Sequence, residues 1–157
     1  MSGRDAIRMS DDEVREFLDE QRTVICATNG RGGWPHLMPL WYVARESGPG
    51  GGPELWAWTF AKSQKVRNLE RDARATLQVE AGEAYAELRG VMLECDVVVH
   101  REVERIRELA LELFERYGGL DDDVRAMIDK QAPKRVALQF VERRRATWDH
   151  RKLGGTY

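Results

Sequence analysis

The sequence predicts a mainly β protein with inserted helices, folded as a small antiparallel barrel with helices at its mouth. Three observations carry this expectation. About six strand-like stretches are joined mostly by turn signals, whereas a doubly wound sheet would alternate strand and helix throughout. The stretch Trp34–Ala44 is apolar on both of its alternating faces, so both faces should be covered. The longest strand pattern, Tyr85–Val99, carries Gly90 near its middle, as a strand does when it bends at a barrel corner.

The elements follow in order. Residues 1–9 read as a frayed tail. Ser10 or Asp11 caps a short helix with Asp12 and Glu13 in its first turn, and Val14, Phe17 and Leu18 share a face through about Glu20. This helix is expected to lie across an opening in the sheet. Thr23–Thr28 is the first strand, and Asn29-Gly30-Arg31-Gly32-Gly33 is a hairpin signal because Asn and Gly tolerate positive φ. Trp34–Ala44 returns, with Pro39 marking a bulge or an unpaired edge whose backbone is free to meet a ligand. The Gly/Pro-rich segment Ser47–Pro53 is a mobile loop. Glu54–Thr59 is an aromatic strand that feeds a helix over Ser63–Arg71, and Ala75–Glu80 and Tyr85–Val99 are strands joined by a turn at Ala81–Ala84. Glu102–Tyr117 keeps a helical apolar period and stops at Gly118-Gly119. A second helix, capped by Asp121, contains Val124, Met127 and Ile128 and stops at Pro133. The last strand runs from Arg135 through Phe140 toward Trp148, leaving 149–157 as a tail.

Composition narrows the function. At 157 residues the chain is read as one domain spanning 1–157, and 42% hydrophobic content excludes wholesale disorder. A formal charge of −2 lacks the basic surplus of a general nucleic-acid binder. No apolar run approaches the roughly 18 residues of a membrane span. Nothing apolar follows Met1-Ser2-Gly3-Arg4-Asp5 as a signal peptide would require. Cys26 and Cys95 lie far apart and form neither a metal pattern nor a disulfide framework, so both read as core filler in a cytoplasmic protein. His36, His100 and His150 have no ligand-like spacing, so no metal is expected.

The stretch that carries chemistry is residues 59–69. The aromatic strand breaks into a helix, which turns the first free N–H groups and the positive end of the helix dipole toward the turn. Lys62, Ser63 and Lys65 add two cations and a hydroxyl within four residues. This reads as a phosphate cradle; an ordinary solvated helix start uses the same residue types. Most of the five tryptophans should fill the core, though a large planar cofactor would want one or two as walls. No nucleophile elbow, nearby Cys–His pair or dinucleotide loop is present. A cradle with apolar walls and no acid–base set suits a protein whose chemistry is done by a bound cofactor.

Three ordered blocks carry a family resemblance: Gly33-Trp34-Pro35-His36-Leu37-Met38-Pro39-Leu40-Trp41-Tyr42; Ser63-Gln64-Lys65-Val66-Arg67-Asn68-Leu69 with Arg71-Asp72-Ala73-Arg74; and Tyr85-Ala86-Glu87-Leu88-Arg89-Gly90-Val91. Across about residues 10–148 the chain resembles the pyridoxamine-5'-phosphate-oxidase-like split-barrel flavoproteins, specifically the flavin/deazaflavin oxidoreductase branch. Ala73 stands where that family usually has proline. The resemblance implies a six-stranded antiparallel split barrel (the FMN-binding split barrel) and a cytoplasmic homodimer with the cofactor at its interface. It places Pro39, Leu40 and Trp41 near the reactive edge of the ring, and Thr59, Phe60 and Ala61 along the ring and ribityl chain. Lys62, Ser63 and Lys65 would hold the phosphate, with Asn68 nearby, and the partner's Tyr85–Val99 strand or Trp148–Lys152 tail would close the site. F420 and FMN share this cradle; F420, with its anionic tail, is preferred because Lys62, Lys65, Arg67, Arg71 and Arg74 offer an extended basic groove. The implied activity is hydride transfer between F420 or FMN and a small unsaturated or quinone-like substrate, with no catalytic residue, nucleic acid or membrane indicated. A non-enzymatic cofactor carrier or sensor, and an interaction domain without cofactor, are the alternatives. Pyridoxamine-phosphate oxidation itself is disfavoured, because Trp148–Tyr157 lacks the C-terminal dimerisation segment of those oxidases.

Overall fold

A computed structural model describes residues 2–48 and 51–154. Pro49 and Gly50 of the expected Ser47–Pro53 loop, and the end of the expected C-terminal tail from Gly155, lie outside the described residues. In chain order the elements are α1 (Gly3–Ala6), α2 (Asp11–Glu20), β1 (Val24–Asn29), β2 (Pro35–Leu40), β3 (Val43–Glu46), β4 (Pro53–Phe60), α3 (Gln64–Arg71), β5 (Arg74–Ala81), β6 (Arg89–His100), α4 (Val103–Tyr117), α5 (Asp122–Gln131) and β7 (Arg135–Asp149). Single 3₁₀ turns occupy Tyr85–Glu87, Ala132–Lys134 and His150–Leu153.

The described strands form one antiparallel sheet in the order β2-β1-β5-β6-β7-β4-β3. The two edge strands, β2 and β3, are consecutive in sequence and separated only by Trp41 and Tyr42. Three peptide steps of about 3.8 Å cannot cross an open seven-stranded sheet, so the sheet must curl until its edges nearly meet. The result is a barrel left split along the β2/β3 seam. This corrects the expected count of six strands: Trp34–Ala44 is two strands on opposite edges. The apolar alternation runs straight through Trp41-Tyr42, so sequence pattern alone does not show where the chain changes partner.

The seam is held by side chains where the ladder stops. Tyr42 is fully buried, and its hydroxyl reaches Leu18 O at 2.6 Å and Gln21 O at 3.0 Å, at the C-terminal end of α2. Its backbone N–H donates to the Tyr117 hydroxyl at 3.1 Å. The expected placement of α2 across an opening is therefore met. The helix starts at a capping box, in which Ser10 Oγ accepts from Glu13 N and Glu13 Oε2 accepts from Ser10 N. Pro39 sits in edge strand β2 opposite Ile25, as a residue without an N–H should.

Two apolar clusters divide the faces of the sheet. Val14, Phe17 and Leu18 of α2 and Val66 and Leu69 of α3 join the inward residues of the strands, Leu55 and Ala57 among them, in the main core. On the outer face, Val43, Trp56 and Ala137 pack with Ile106, Leu109 and Leu113 of α4. The long strand differs from expectation in detail. It begins at Arg89, and its register shift lies between Glu94 and Cys95, whereas Gly90 leaves room for the Trp148 ring, which a Cβ would strike. The expected tails are tied to each other: Asp149 N donates to Ile7 O, Met9 N to Thr147 Oγ1 and Lys152 Nζ to Arg8 O. Among the described residues no helix is long and apolar enough to cross a membrane.

Candidate functional site

The turn from β4 into α3 places the cradle residues in sequence and then separates their side chains. Ser63 is the helix cap; its hydroxyl accepts from Val66 N at 3.4 Å and its own N–H donates to Phe60 O. Ala61 N donates to Lys134 O at 2.9 Å, which ties this turn to the start of β7. Lys62 projects outward and is exposed.

Lys65 turns the other way. It is 5% exposed, and its Nζ donates to Thr59 Oγ1 at 2.9 Å, inside the barrel wall. Burial lowers its pKa; the nearby Cys26 opposes that shift and the Arg135 charge adds to it. The Cys26 thiol is itself pushed up to about 11 by burial, so it remains a neutral neighbour at physiological pH. Asn68 is fully buried and committed to the scaffold. Its amide donates to Thr28 Oγ1 at 3.1 Å and its oxygen accepts from Gln64 at 2.9 Å. The expected place of Asn68 beside a phosphate is thus taken by a link between α3 and β1.

Two cations absent from the sequence-based site complete this corner. Arg135 pairs in register with Phe60, and its guanidinium lies 3.7 Å from the Phe60 ring centroid and 4.4 Å from that of Trp58. Its Nε is buried without a hydrogen-bond partner, and burial lowers its pKa. Lys134 is exposed beside it. Among the described residues none of Lys62, Lys65, Arg67, Lys134 and Arg135 has a carboxylate partner, although arginine–carboxylate pairs recur across the rest of the surface. The expected basic groove loses two members: Arg71 donates to Asn29 O at 2.8 Å and Arg74 is held by Asp72 at 2.8 Å. No local signal marks Lys134 and Arg135, because they reach the corner only through β4–β7 pairing.

From Arg135 a row of rings leads to Trp41. Trp58 meets Phe114 edge-on at 5.9 Å, Phe114 meets Trp41 edge-on at 6.1 Å, and Trp41 stacks on Tyr117 at 4.5 Å and 14°. Trp41 remains 47% exposed and Phe60 49%. Pro39 is exposed and Leu40 half-buried on the other side of the seam. The structure therefore brings together Thr59, Phe60, Ala61, Lys62, Ser63 and Lys65, and connects Trp41 to them through Phe114 and Trp58. Phe114 and Tyr117 were legible only as members of a helical apolar period.

An unpaired cation cluster repels itself and favours an anion that bridges it. The turn also offers N–H groups of α3 that helix geometry leaves without partners. The donor set therefore fits a phosphate, and the flanking rings fit a planar group.

The described architecture has relatives. The pyridoxamine 5'-phosphate oxidase family model matches residues 10–150. The chain is similar to the crystal structure of the conserved hypothetical protein Rv2991 of Mycobacterium tuberculosis, with 38% identity and a TM-score of 0.87 over 100% of this chain and 95% of that one. It also superposes on an F420 reductase (18% identity, TM-score 0.64, 84% of this chain and 94% of that one). A third match is a FAD-binding protein of Mesorhizobium loti (14% identity, TM-score 0.62, 88% and 92%). The chain has no match among curated proteins. With nearly its whole length matched and its split sheet in place, the chain belongs to the pyridoxamine 5'-phosphate oxidase family.

Proposed function

We propose that this protein is an oxidoreductase that binds F420 or FMN between the two subunits of a homodimer and transfers hydride to or from a small unsaturated or quinone-like molecule. The observation that carries this reading is the corner of Lys62, Lys65, Lys134 and Arg135 beside the N-terminus of α3, with Arg67 following on that helix; among the described residues none of these has a carboxylate partner. Lys62, Ser63 and Lys134 would hold the phosphate, with Lys65 and Arg135 supplying charge from beneath. Phe60, Ala61 and the Pro39–Trp41 backbone would flank the ring. When bound, such a cofactor supplies the hydride chemistry; the chain binds it, orients it and keeps water away.

The names of two structural relatives, an F420 reductase and a FAD-binding protein, support a flavin-type cofactor. The spread of positive charge over α3 and the start of β7 favours F420, whose anionic tail extends beyond the phosphate. The homodimer is supported by the edge strand β2 and the residue before it, where Trp34, Leu37 and Met38 are 83%, 58% and 42% exposed. The Tyr85–Val99 segment or the Trp148–Lys152 segment would close the partner's site.

Titration of the purified protein with F420 and with FMN tests the reading. Tight binding of at least one is expected. Lys65→Met, which keeps the buried volume, should weaken it by about 1–3 kcal/mol. Unchanged affinity in that variant would remove Lys65 from the site, and millimolar F420 binding beside tight FMN binding would reassign the cofactor.

A further inference from the structure

The ring row has a second end, away from the cations. Beyond Trp41, the α4–α5 connection borders an open hollow of about 410 Å³, lined chiefly by Trp41, Phe114, Tyr117, Leu120, Val124 and Asp121. One face of Trp41 is covered by Tyr117, yet 47% of the residue is exposed, so its open surface borders this hollow. The polar groups of the lining are engaged by the fold. The Tyr117 hydroxyl lies 2.8 Å from Arg22 O and 3.0 Å from Tyr42 O, and the Asp121 carboxylate accepts from Val124 N at 2.8 Å. What remains to contact a ligand is mostly aromatic and aliphatic surface.

Among the described residues, the charged side chain in the lining is Asp121. Asp122 and Asp123 follow it, exposed at the start of α5, with Arg125 the nearest cation in sequence. Arg22 and Arg116 lie over the Tyr117 ring but are not in the lining, and Arg116 is held on Leu18 O and Gln21 O.

We infer that this hollow is the substrate pocket, and that it takes a planar aromatic molecule that is neutral or cationic, stacked beside Trp41, and discriminates against anionic ones. The inference rests on the cofactor reading above, which puts the reactive ring edge at Trp41. Recognition comes from stacking and dispersion against Trp41 and Phe114, and the carboxylates of the α5 N-terminus set the charge preference. The molecule is thereby polarised: its anion-holding corner and its substrate pocket stand at opposite ends of one row of rings.

Gly118 provides a test that spares the fold. It lies in the lining, its φ of −175° suits any residue, and a Cβ there meets nothing within 4 Å. Gly118→Leu therefore adds bulk to the hollow without strain, and Val124→Trp fills it from α5. Binding of 2-naphthol and of naphthalene-2-sulfonate, two unreactive probes that differ in charge, is measured by equilibrium dialysis on wild type and both variants, with and without saturating F420. One site for 2-naphthol is expected, with the sulfonate at least about tenfold weaker and 2-naphthol binding reduced at least about tenfold in each variant. Equal binding of the two probes, or 2-naphthol affinity unmoved by both fillings, overturns the assignment. F420 titration of the same samples separates the two readings: wild type that binds 2-naphthol as described but not F420 refutes the cofactor proposal alone.

Discussion

The two ends of the ring row were built by opposite rules. At the β4–α3 corner, polar groups are left open: among the described residues Arg135 Nε has no partner, Lys62 and Lys134 have no carboxylate, and Lys65 is buried on a single hydroxyl. At the α4–α5 end, Tyr117 and Asp121 are bonded to backbone, and the exposed surface is mostly ring and aliphatic carbon. Unsatisfied buried charge is costly, and a fold keeps it where a ligand supplies the missing partner. Satisfied polar groups around an open apolar hollow are the arrangement for a ligand held by shape. Under the proposed function, the contrast matches the anionic part of a cofactor to the first end and an uncharged ring to the second.

The largest effect is expected at Arg135. Arg135→Leu keeps bulk on Phe60 and Trp58 but removes the half-buried guanidinium, and should cost cofactor affinity about 2–3 kcal/mol, read by titration. If affinity holds while 2-naphthol binding falls, the assignment of the two ends is reversed. The seam that joins the ends should respond in stability instead. Tyr42→Phe removes a hydroxyl that reaches two backbone oxygens on α2, and is expected to lower unfolding free energy by about 1–2 kcal/mol in urea, leaving cofactor affinity unchanged.

A smaller effect should appear in the pH dependence of stability. The Lys65 pKa is lowered from 10.5 on folding, so between its folded value and 10.5 the unfolded chain holds more protons at this site. Lys65 therefore makes wild-type stability rise with pH across that window relative to Lys65→Met. The difference is greatest below the folded pKa and vanishes above 10.5. Paired urea titrations between neutral and alkaline pH check it; parallel curves would show that Lys65 is not held at a cost. Ligand binding should bring the lysine's pKa back up.

Sequence made local features legible and left the long-range ones hidden. The capping box at Ser10–Glu13, the stop at Gly118-Gly119 and the strand-to-helix turn at Ala61–Ser63 each follow from residues within a few positions of one another. Lys134 and Arg135 were hidden because they lie far along the chain, at the end of a 3₁₀ turn and the start of β7, and meet Ala61 and Phe60 only through long-range pairing. The seventh strand was hidden because Trp41 and Tyr42 continue an unbroken alternation while the backbone changes edges. Asn68 misled for a related reason: an amide on a basic helix reads as a ligand group until its partner, Thr28 on β1, is known.

The most direct measurement is F420 affinity in wild type and in the double variant Lys62→Ala/Lys134→Ala, followed by deazaflavin fluorescence. Both side chains are exposed and have no ion-pair partner among the described residues, so the fold should be untouched. The account predicts a loss of about a hundredfold in affinity and a weaker dependence on salt, as expected when two cations leave an anion site. Equal affinity and equal salt dependence in the two proteins would contradict it.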